Sequence, residues 1–423
     1  MDHYVISGGK RLEGVVPISG SKNAALAIVA AAMLLDGPCR IENLPQVRDI
    51  HLLLNICRGI GATITEEKPG TVTIDATTIN TWEATDPIVS SLRGSYYLMG
   101  ALLGRFGKAK TSMPGGCNFG NRPIDLHLKG FAALGASNDV TYGHVNLDCD
   151  SLKGGSVFLD QVSVGATVNI MLAASKAEGL TVIDNAAREP HIVDLANFLN
   201  TMGADIRGAG TDVIRVNGKR TLPARKDYMI IPDQIEAGTY MFMAPLTRGD
   251  ITVTNVIPKH MEPLTAKLQE MGSTVEEGED SIRVRHDKGT RLVGTSFKTM
   301  PYPGYPTDLQ PQATCLLCFA EGGGRMIENV WENRFQYVDE LKKMGASILI
   351  AGRLAVVQNA VLTGASVRCD DLRAGAAMVM AGLGALGETH VYEIIRIERG
   401  YENFIGKLTA IGADIRRVSD HPA

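Results

Sequence analysis

A short motif, in which an amphipathic run ends in Gly-Ala or Gly-Ser, recurs six times and constrains the fold more than any other feature. The glycines of this motif are Gly61, Gly135, Gly203, Gly272, Gly345 and Gly412. Their successive spacings, by subtraction, are 74, 68, 69, 73 and 67 residues. Each glycine stands where the C-cap of a helix is expected, just before β-branched residues. The sequence therefore predicts six copies of one unit of roughly seventy residues.

A second apolar helix precedes each motif and is followed by a glycine-containing turn and a strand, as in AALAIVAAAMLLDGPCRIENL near the start of the chain. The order of elements in each unit is then β-α-β-α-β-β. Three such α/β units make a domain of conventional size, so 423 residues predict two pseudo-symmetric domains. The segment YMIIPDQIEAGTY in mid-chain echoes VVPISGSKNAAL near the N-terminus and marks the junction.

Charge and hydropathy exclude several classes of partner. Lysine and arginine total 42 against 46 acidic residues, and a net charge of −4 gives no electrostatic case for nucleic acid or an anionic membrane. The N-terminal run MDHYVISGGKRLEG has no signal-peptide pattern, and the longest apolar stretch, residues 24–35, is too short to span a bilayer. We expect a cytoplasmic protein with no nucleic-acid or membrane partner.

Five of the six predicted starts of the first helix of each unit carry charged residues. Among them are Lys22, Arg93, Asp233, Asp308 and Arg373. Helix N-termini present unpaired N–H groups and a positive field, which favour bound anions. A cation at that position opposes the helix dipole, so Lys22 and Arg93 indicate an anion site rather than caps. Asp233 is equally consistent with an ordinary N-cap.

The segment of residues 113–125, MPGGCNFGNRPID, carries a cysteine in a loop rich in glycine and proline. Three glycines and two prolines predict an exposed loop with Cys117 at its tip and Arg122 close by. The other six cysteines are expected to be buried free thiols. Cys315 and Cys318 form a CxxC inside an apolar helix without a second pair, which argues against a zinc or redox site.

Several further motifs occur in order along the whole chain: Ser21-Lys22-Asn23, the PGGC loop, AAREP at 186–190, PTDLQ at 306–310, ENRF at 332–335, DLR at 371–373 and ERGYE at 398–402. Together they resemble the UDP-N-acetylglucosamine 1-carboxyvinyltransferases of the EPSP synthase superfamily. The resemblance implies a two-domain inside-out α/β barrel. It also implies that the first strand segment crosses to the C-terminal half, giving a domain of residues 23–231, with the Cys117 loop, and a domain of residues 1–22 plus 232–423.

The resemblance implies transfer of the enolpyruvyl group of phosphoenolpyruvate to the 3′-hydroxyl of UDP-N-acetylglucosamine, with release of phosphate. That reaction is the first committed step of peptidoglycan synthesis and so serves cell-wall biogenesis, cell shape and cell division. It requires no metal or organic cofactor. The expected partners are therefore the two substrates.

Residues for phosphoenolpyruvate follow from the same resemblance. Its carboxylate and phosphate suit bidentate pairing with guanidinium groups. The residues implied to bind it are Lys22, Asn23, Arg122, Arg334, Arg373 and Arg399. Any one of these arginines, taken alone, would more often be a solvated surface charge.

The implied catalytic residues are Cys117, Asp308 and Lys22. Cys117 matches a cysteine that donates a proton, forms an adduct with phosphoenolpyruvate and is alkylated by fosfomycin. An ordinary thiol is mostly protonated at neutral pH and can act as an acid. Asp308 matches an aspartate that takes the proton of the attacking sugar hydroxyl, although its position also suits an N-cap.

The residues implied to contact UDP-N-acetylglucosamine are Arg93, Arg122, Pro123, Ile124, Asp125, Leu126, Val162, Ser163, Val164, Asp308 and Val330. His127 follows this segment and is as consistent with a structural histidine as with a ligand contact. Gln161 departs from a lysine found in some members of the family, which leaves the diphosphate contacts open.

Three other functions share some of these features. The shikimate-pathway enolpyruvyl transferases use the same repeat and the same donor, but they lack the PGGC loop. RNA-terminal cyclases use a related unit, yet no basic tract is present here. A catalytically silent paralogue with a binding role is disfavoured because Lys22, Cys117, Asp308 and Arg399 occur together.

Overall fold

The computed structural model describes residues 2–113, 124–224 and 226–419. The chain divides into two compact units, one of residues 20–231 and one of residues 1–19 plus 232–423. Each unit has its own hydrophobic core. Residues 20–22, which the resemblance assigns to the C-terminal domain, cluster with the first of these units.

The first described range forms seven strands and four helices: β1 (Asp2–Ser7), β2 (Glu13–Pro17), α1 (Lys22–Ala32), β3 (Pro38–Glu42), α2 (Arg48–Gly59), β4 (Thr63–Lys68), β5 (Thr71–Asp75), β6 (Glu83–Ala84), α3 (Pro87–Ser91), α4 (Tyr97–Phe106) and β7 (Lys108–Ser112). The next elements, up to residue 231, are α5 (Asp125–Ala133), β8 (Ser137–Thr141), β9 (His144–Asp148), β10 (Ser156–Phe158), α6 (Val164–Ala174), β11 (Leu180–Asp184), α7 (Pro190–Thr201), β12 (Asp205–Arg207), β13 (Val213–Asn217) and β14 (Tyr228–Met229).

The C-terminal part contains α8 (Gln234–Leu246), β15 (Asp250–Thr254), α9 (Glu262–Glu270), β16 (Thr274–Glu277), β17 (Ser281–Arg285), β18 (Ser296–Lys298), α10 (Gln310–Phe319), β19 (Gly324–Ile327), α11 (Val338–Lys343), β20 (Ser347–Ala351), β21 (Leu354–Gln358), β22 (Ser366–Arg368), α12 (Leu372–Gly384), β23 (Glu388–Tyr392), α13 (Phe404–Ala410) and β24 (Asp414–Ser419). Short 3-10 helices are formed by Arg93–Tyr96, Pro258–Met261, Thr307–Leu309 and Ile394–Arg396.

The strands described form six four-stranded sheets with one shared pattern: one parallel pairing followed by two antiparallel pairings. Their orders are β14-β3-β5-β4, β6-β7-β9-β8, β10-β11-β13-β12, β2-β15-β17-β16, β18-β19-β21-β20 and β22-β23-β1-β24. In the four sheets that begin with β6, β10, β18 and β22, the parallel pair is joined through helical segments in the ordinary βαβ manner, and in every sheet except β22-β23-β1-β24 the last two strands form a hairpin. The prediction of six copies of one β-α-β-α-β-β unit is confirmed.

Three strands join sheets far from their own place in the sequence. Strand β2 precedes α1 but pairs in parallel with β15, and β1 lies between β23 and β24. Strand β14 precedes α8 but pairs in parallel with β3. The sequence pattern did not predict the pairing of β14, since two residues carry no periodicity.

Three helices in each unit are buried on nearly all sides. In the unit of residues 20–231 they are α1, α4 and α6, and in the other unit they are α8, α10 and α12. Their largely apolar sequences explain this position, because a helix without a polar face must lie inside a core. The helices therefore lie inside, with the sheets around them, as an inside-out barrel requires. Within the described ranges, no helix is both long and apolar enough to cross a membrane.

The six motif glycines all end helices. They follow the ends of α2, α5, α7, α9, α11 and α13 with φ between +91° and +104°. This left-handed conformation is accessible to glycine without the strain that a Cβ introduces. The motif therefore marks the end of the second helix of every unit.

Candidate active site

Asp308 lies in the 3-10 turn before α10 and contacts two buried arginines. Its Oδ1 accepts a hydrogen bond from Nη2 of Arg334 at 3.2 Å, and its Oδ2 lies 3.3 Å from Nη2 of Arg373. The arginine side chains are 2% and 4% exposed, whereas that of Asp308 is 30% exposed. The N-cap position of α10 is occupied by Leu309, so the alternative that Asp308 caps this helix is wrong.

Arg373 is held in place from its backbone to its guanidinium. Asp371 caps α12 and accepts hydrogen bonds from the backbone N–H groups of Arg373 and Ala374 at 2.7 and 3.1 Å. The guanidinium carbon lies 5.4 Å from the centre of the Tyr401 ring, within the range of a cation–π contact. Burial alone would lower the pKa of Arg373, but Tyr401, Asp308 and Asp233 raise it above its usual value, so the group stays charged.

One nitrogen of this guanidinium is available for a ligand. Nη1 of Arg373 is buried and has no hydrogen-bond partner within the described part of the chain. A buried donor without a partner is costly, and an anionic substrate would satisfy it.

A buried polar network supports Tyr401 beneath Arg373. The Tyr401 hydroxyl lies 3.0 Å from Oγ1 of Thr239 in α8 and accepts a hydrogen bond from Nε2 of Gln312 in α10 at 3.2 Å. Burial raises the pKa of Tyr401, so this hydroxyl stays protonated. Sequence reasoning missed Thr239 and Gln312. The one sequence signal for these two residues is that each is a polar side chain in a mostly apolar helix.

Asp233 is an N-cap, which settles the alternative that the sequence left open. Its Oδ1 accepts hydrogen bonds from the backbone N–H groups of Ile235 and Glu236 at 2.8 and 3.1 Å.

Glu236 is buried and forms an ion pair of 2.6 Å with Lys407, which also donates to Oγ of Ser19 at 2.7 Å. Burial raises the pKa of Glu236 to about 7, against the opposing effect of Lys407.

Two more predicted residues belong to the same unit. Val330 follows β19, is half-buried, and its backbone N–H donates to Oε1 of Glu328 at 2.8 Å. Arg399 lies in the turn after residues 394–396 and is half-buried.

The unit of residues 20–231 places Lys22 at the start of α1. Its ammonium lies 3.4 Å from Oδ2 of Asp49, a buried residue of α2, and the Lys22 side chain is 11% exposed. Ser21 caps the helix by accepting a hydrogen bond from the backbone N–H of Ala24 at 3.3 Å. Asn23 is half-buried in the first turn. An ammonium has three donors, so a contact with Asp49 is compatible with a bound anion.

Arg93, Tyr96, His127 and Asn169 form a connected group. The Arg93 guanidinium lies 5.6 Å from the centre of the Tyr96 ring. Asn169 uses its oxygen to accept from the backbone N–H of Gly100 at 2.9 Å, so its amide nitrogen donates to Nδ1 of His127 at 2.8 Å. Burial, with a smaller contribution from Arg93, lowers the pKa of His127 to about 3. This neutral, buried histidine favours the structural alternative.

The remaining predicted contacts with the nucleotide sugar lie at two helix starts. Ile124 and Leu126 are buried and Asp125 is exposed at the start of α5. Ser163 caps α6 between the half-buried Val162 and Val164, and Gln161 before them is exposed. Cys117, Arg122 and Pro123 lie outside the described residues.

The six described cysteines are free thiols, as expected, but the expectation that all of them are buried is wrong for Cys149. Cys39, Cys57, Cys315, Cys318 and Cys369 are buried, and Cys149 is half-buried. Burial raises the pKa of Cys39, Cys57 and Cys318 to about 12. Among the residues that the structure describes, no group of three or more histidine, cysteine or acidic side chains could hold a metal ion.

Comparisons with known proteins agree with this architecture. The sequence model of the EPSP synthase (3-phosphoshikimate 1-carboxyvinyltransferase) family matches residues 6–408. A UDP-N-acetylglucosamine 1-carboxyvinyltransferase from Halothermothrix orenii is 52% identical over 99% of this chain and all of that protein. The protein of the same name from Clostridium botulinum is 51% identical, again over 99% of this chain and all of its own length.

Solved structures show the same fold. The enolpyruvyl transferase NikO from Streptomyces tendae superposes with a TM-score of 0.90 at 28% identity, covering 99% of both chains. An EPSP synthase from Acinetobacter baumannii gives a TM-score of 0.76 at 20% identity, over 99% of this chain and all of the other, which bears on the fold alone. The chain therefore belongs to the EPSP synthase family of enolpyruvyl transferases, in which it groups with the UDP-N-acetylglucosamine 1-carboxyvinyltransferases.

Proposed function

We propose that this chain transfers the enolpyruvyl group of phosphoenolpyruvate to the 3′-hydroxyl of UDP-N-acetylglucosamine and releases inorganic phosphate. The observation that carries the proposal is the identity of about half of all residues, over the full length, with enzymes named for this reaction. In this proposal the reaction opens peptidoglycan synthesis and takes place in the cytoplasm.

The chemistry is an addition followed by an elimination. A proton adds to the methylene carbon of phosphoenolpyruvate, and the sugar oxygen bonds to the adjacent carbon as its own proton leaves. The bond from that carbon to the phosphate oxygen then breaks, and the methyl group loses a proton to restore the double bond. The site must therefore supply an acid, a base and cations for the carboxylate and phosphate.

Asp308 is the base in this scheme. Its carboxylate is partly exposed while its two arginine partners are almost wholly buried, so it can reach a substrate hydroxyl while its orientation stays fixed. Arg334 and Arg373 hold it and, through donors such as Nη1 of Arg373, bind the anionic donor substrate. Arg399 adds a further cation for the same substrate.

Lys22, Asn23 and Arg122 bind phosphoenolpyruvate as well, and Cys117 donates the proton to its methylene carbon. The pairing of Lys22 with a buried acid supports a fixed position for the ammonium. For the nucleotide sugar we propose Arg93, the segment of residues 122–126, the turn of residues 162–164 and Val330. Only the two substrates take part, without a metal or organic cofactor.

A phosphate-release assay tests the proposal. The chain should release phosphate when UDP-N-acetylglucosamine and phosphoenolpyruvate are both present, and not with either alone. Cys117→Ala should lose most of this activity. Phosphate release with shikimate 3-phosphate in place of the nucleotide sugar would instead favour the shikimate-pathway reaction, and no release with either acceptor would favour a silent paralogue.

A further inference from the structure

A buried glutamate links the Asp308 turn to the loop that carries Val330. Glu328 directly follows β19 and is completely buried. Glu328 belongs to none of the motifs on which the family resemblance rests. The proposed function uses it neither as the base nor as a residue that binds an anionic substrate. A buried carboxylate is nevertheless expensive unless its oxygens are satisfied.

The carboxylate of Glu328 accepts four hydrogen bonds. Oε1 accepts from the backbone N–H groups of Val330 and Trp331 at 2.8 and 3.0 Å and from Oγ1 of Thr299 at 2.8 Å. Oε2 accepts from Oγ1 of Thr307 at 2.9 Å. One side chain thus joins three segments of the chain.

Thr307 connects the hydrogen bonds of Glu328 to Asp308, the proposed base. It opens the 3-10 turn Thr307–Leu309 that contains Asp308, so its hydroxyl holds the backbone on which the base is mounted. On the other side, Val330 and Trp331 begin the loop that leads to Arg334, and Arg334 donates to Asp308. The base and its arginine partner are therefore both positioned by groups attached to one carboxylate.

We propose that Glu328 is a positioning residue for the transfer reaction, acting through Thr307 to orient Asp308. The proposal rests on the proposed function, because Asp308 is the base only in that reaction. Because Glu328 is completely buried, we expect it to contact neither substrate. Its effect should fall on kcat, since a small displacement of a catalytic group costs rate even when substrate binding survives.

Two valine substitutions make a matched test. Thr307→Val removes the hydroxyl that ties the Asp308 turn to Glu328 and keeps the shape of the side chain. Thr299→Val removes another hydroxyl from the same carboxylate and also the acceptor of the Asn329 backbone N–H, at 2.9 Å. The control therefore loses more hydrogen bonds but leaves the Asp308 turn attached.

We expect Thr307→Val to lower kcat by roughly tenfold, with KM values for both substrates within about threefold of the wild-type values, because the base is misoriented rather than removed. Thr299→Val should lower the melting temperature at least as much, yet keep kcat within about twofold. The wild-type rate, measured alongside, tests the proposed function separately. Equal kcat values for Thr307→Val and wild type would overturn the positioning role, as would equal losses in the two variants.

Substitutions of Glu328 itself provide the second measurement. In Glu328→Gln the amide oxygen can accept from Val330, Trp331 and Thr299, and the amide nitrogen can donate to Thr307, whose hydroxyl rotates to accept. This variant should retain most of kcat, whereas Glu328→Ala should lose it. A loss in Glu328→Gln as large as that in Glu328→Ala would contradict positioning by hydrogen bonds.

Discussion

The Asp308 carboxylate lies between two guanidiniums that have almost no contact with solvent. Burying two guanidiniums in this way costs desolvation energy. That cost is explained if the two arginines bind an anionic substrate as well as Asp308. Neither arginine is replaceable by lysine on this account, since the planar guanidinium can contact Asp308 and a substrate oxygen at the same time.

Asp308→Asn tests the base directly. The amide keeps the shape of the side chain but cannot take a proton, so we expect kcat to fall by roughly a hundredfold or more. Removing the charge beside two buried arginines should also lower the free energy of unfolding, by up to about 3 kcal/mol. Steady-state kinetics and urea unfolding at one temperature separate the two effects. A folded variant with more than a third of the wild-type kcat would exclude Asp308 as the base.

Fosfomycin provides a test at the level of single thiols. Mass spectrometry of tryptic peptides should find the adduct on Cys117 alone and in proportion to the loss of activity. The described thiols other than Cys149 are buried, and burial holds their pKa values well above neutral pH, so thiolate is scarce.

Cys149 is the natural control in that experiment, because it is the half-buried thiol among the described cysteines. Cys149→Ser should be inactivated by fosfomycin at the wild-type rate. Inactivation accompanied by an adduct on Cys149, or retained activity with a stoichiometric adduct on Cys117, would contradict the assignment of the reactive thiol.

At the scale of elements, strand β14 depends on a side chain from a neighbouring helix. Strand β14 has two residues, and Tyr228 within it donates to Oδ1 of Asp194 in α7 at 2.6 Å. Oδ2 of Asp194 accepts from the backbone N–H of Ile231 at 3.3 Å. Burial raises the pKa of Asp194 to about 6, despite the opposing effect of these two donors.

This raised pKa predicts a pH dependence of stability. Between about pH 4 and pH 6 the folded chain keeps a proton on Asp194 that the unfolded chain has lost, so stability falls as pH rises, by about 3 kcal/mol in total. Asp194→Asn removes the titration. The free energy of unfolding of wild type minus that of the variant should therefore fall by about 2.5 kcal/mol between pH 4 and pH 7.

Urea unfolding across that pH range measures the difference. A difference between wild type and Asp194→Asn that does not change with pH would show that Asp194 ionises equally in the folded and unfolded chain.

The helix ends were predictable from the sequence, whereas the details of the helix starts were not. Gly61 and its five counterparts lie at left-handed positions because only glycine adopts them freely, and this requirement left a visible repeat. The charged side chains at two of the helix starts instead depend on partners distant in sequence. Lys22 contacts Asp49, and Arg373 contacts Tyr401 and Asp308, and no local pattern records such pairings.

For the whole molecule, the spacing of the repeat was sufficient to predict six α/β units. The pairing of β14 with β3 was not predictable, because that pairing joins segments nearly two hundred residues apart through only two residue pairs. The site residues were identified largely through motif resemblance. Glu328, Thr239 and Gln312 were missed because their importance comes from burial and hydrogen bonding, which only the folded chain reveals.

The most direct test of the central claim follows the bridging oxygen of phosphoenolpyruvate. Enolpyruvyl transfer breaks the bond between carbon 2 and that oxygen, whereas phosphoryl transfer would break the bond between the oxygen and phosphorus. With the bridging oxygen labelled as ¹⁸O, we predict that the label leaves in inorganic phosphate and that the product carries an unlabelled enol ether on the 3′-oxygen of the nucleotide sugar. Label retained in the three-carbon product, with phosphate unlabelled, would contradict the account.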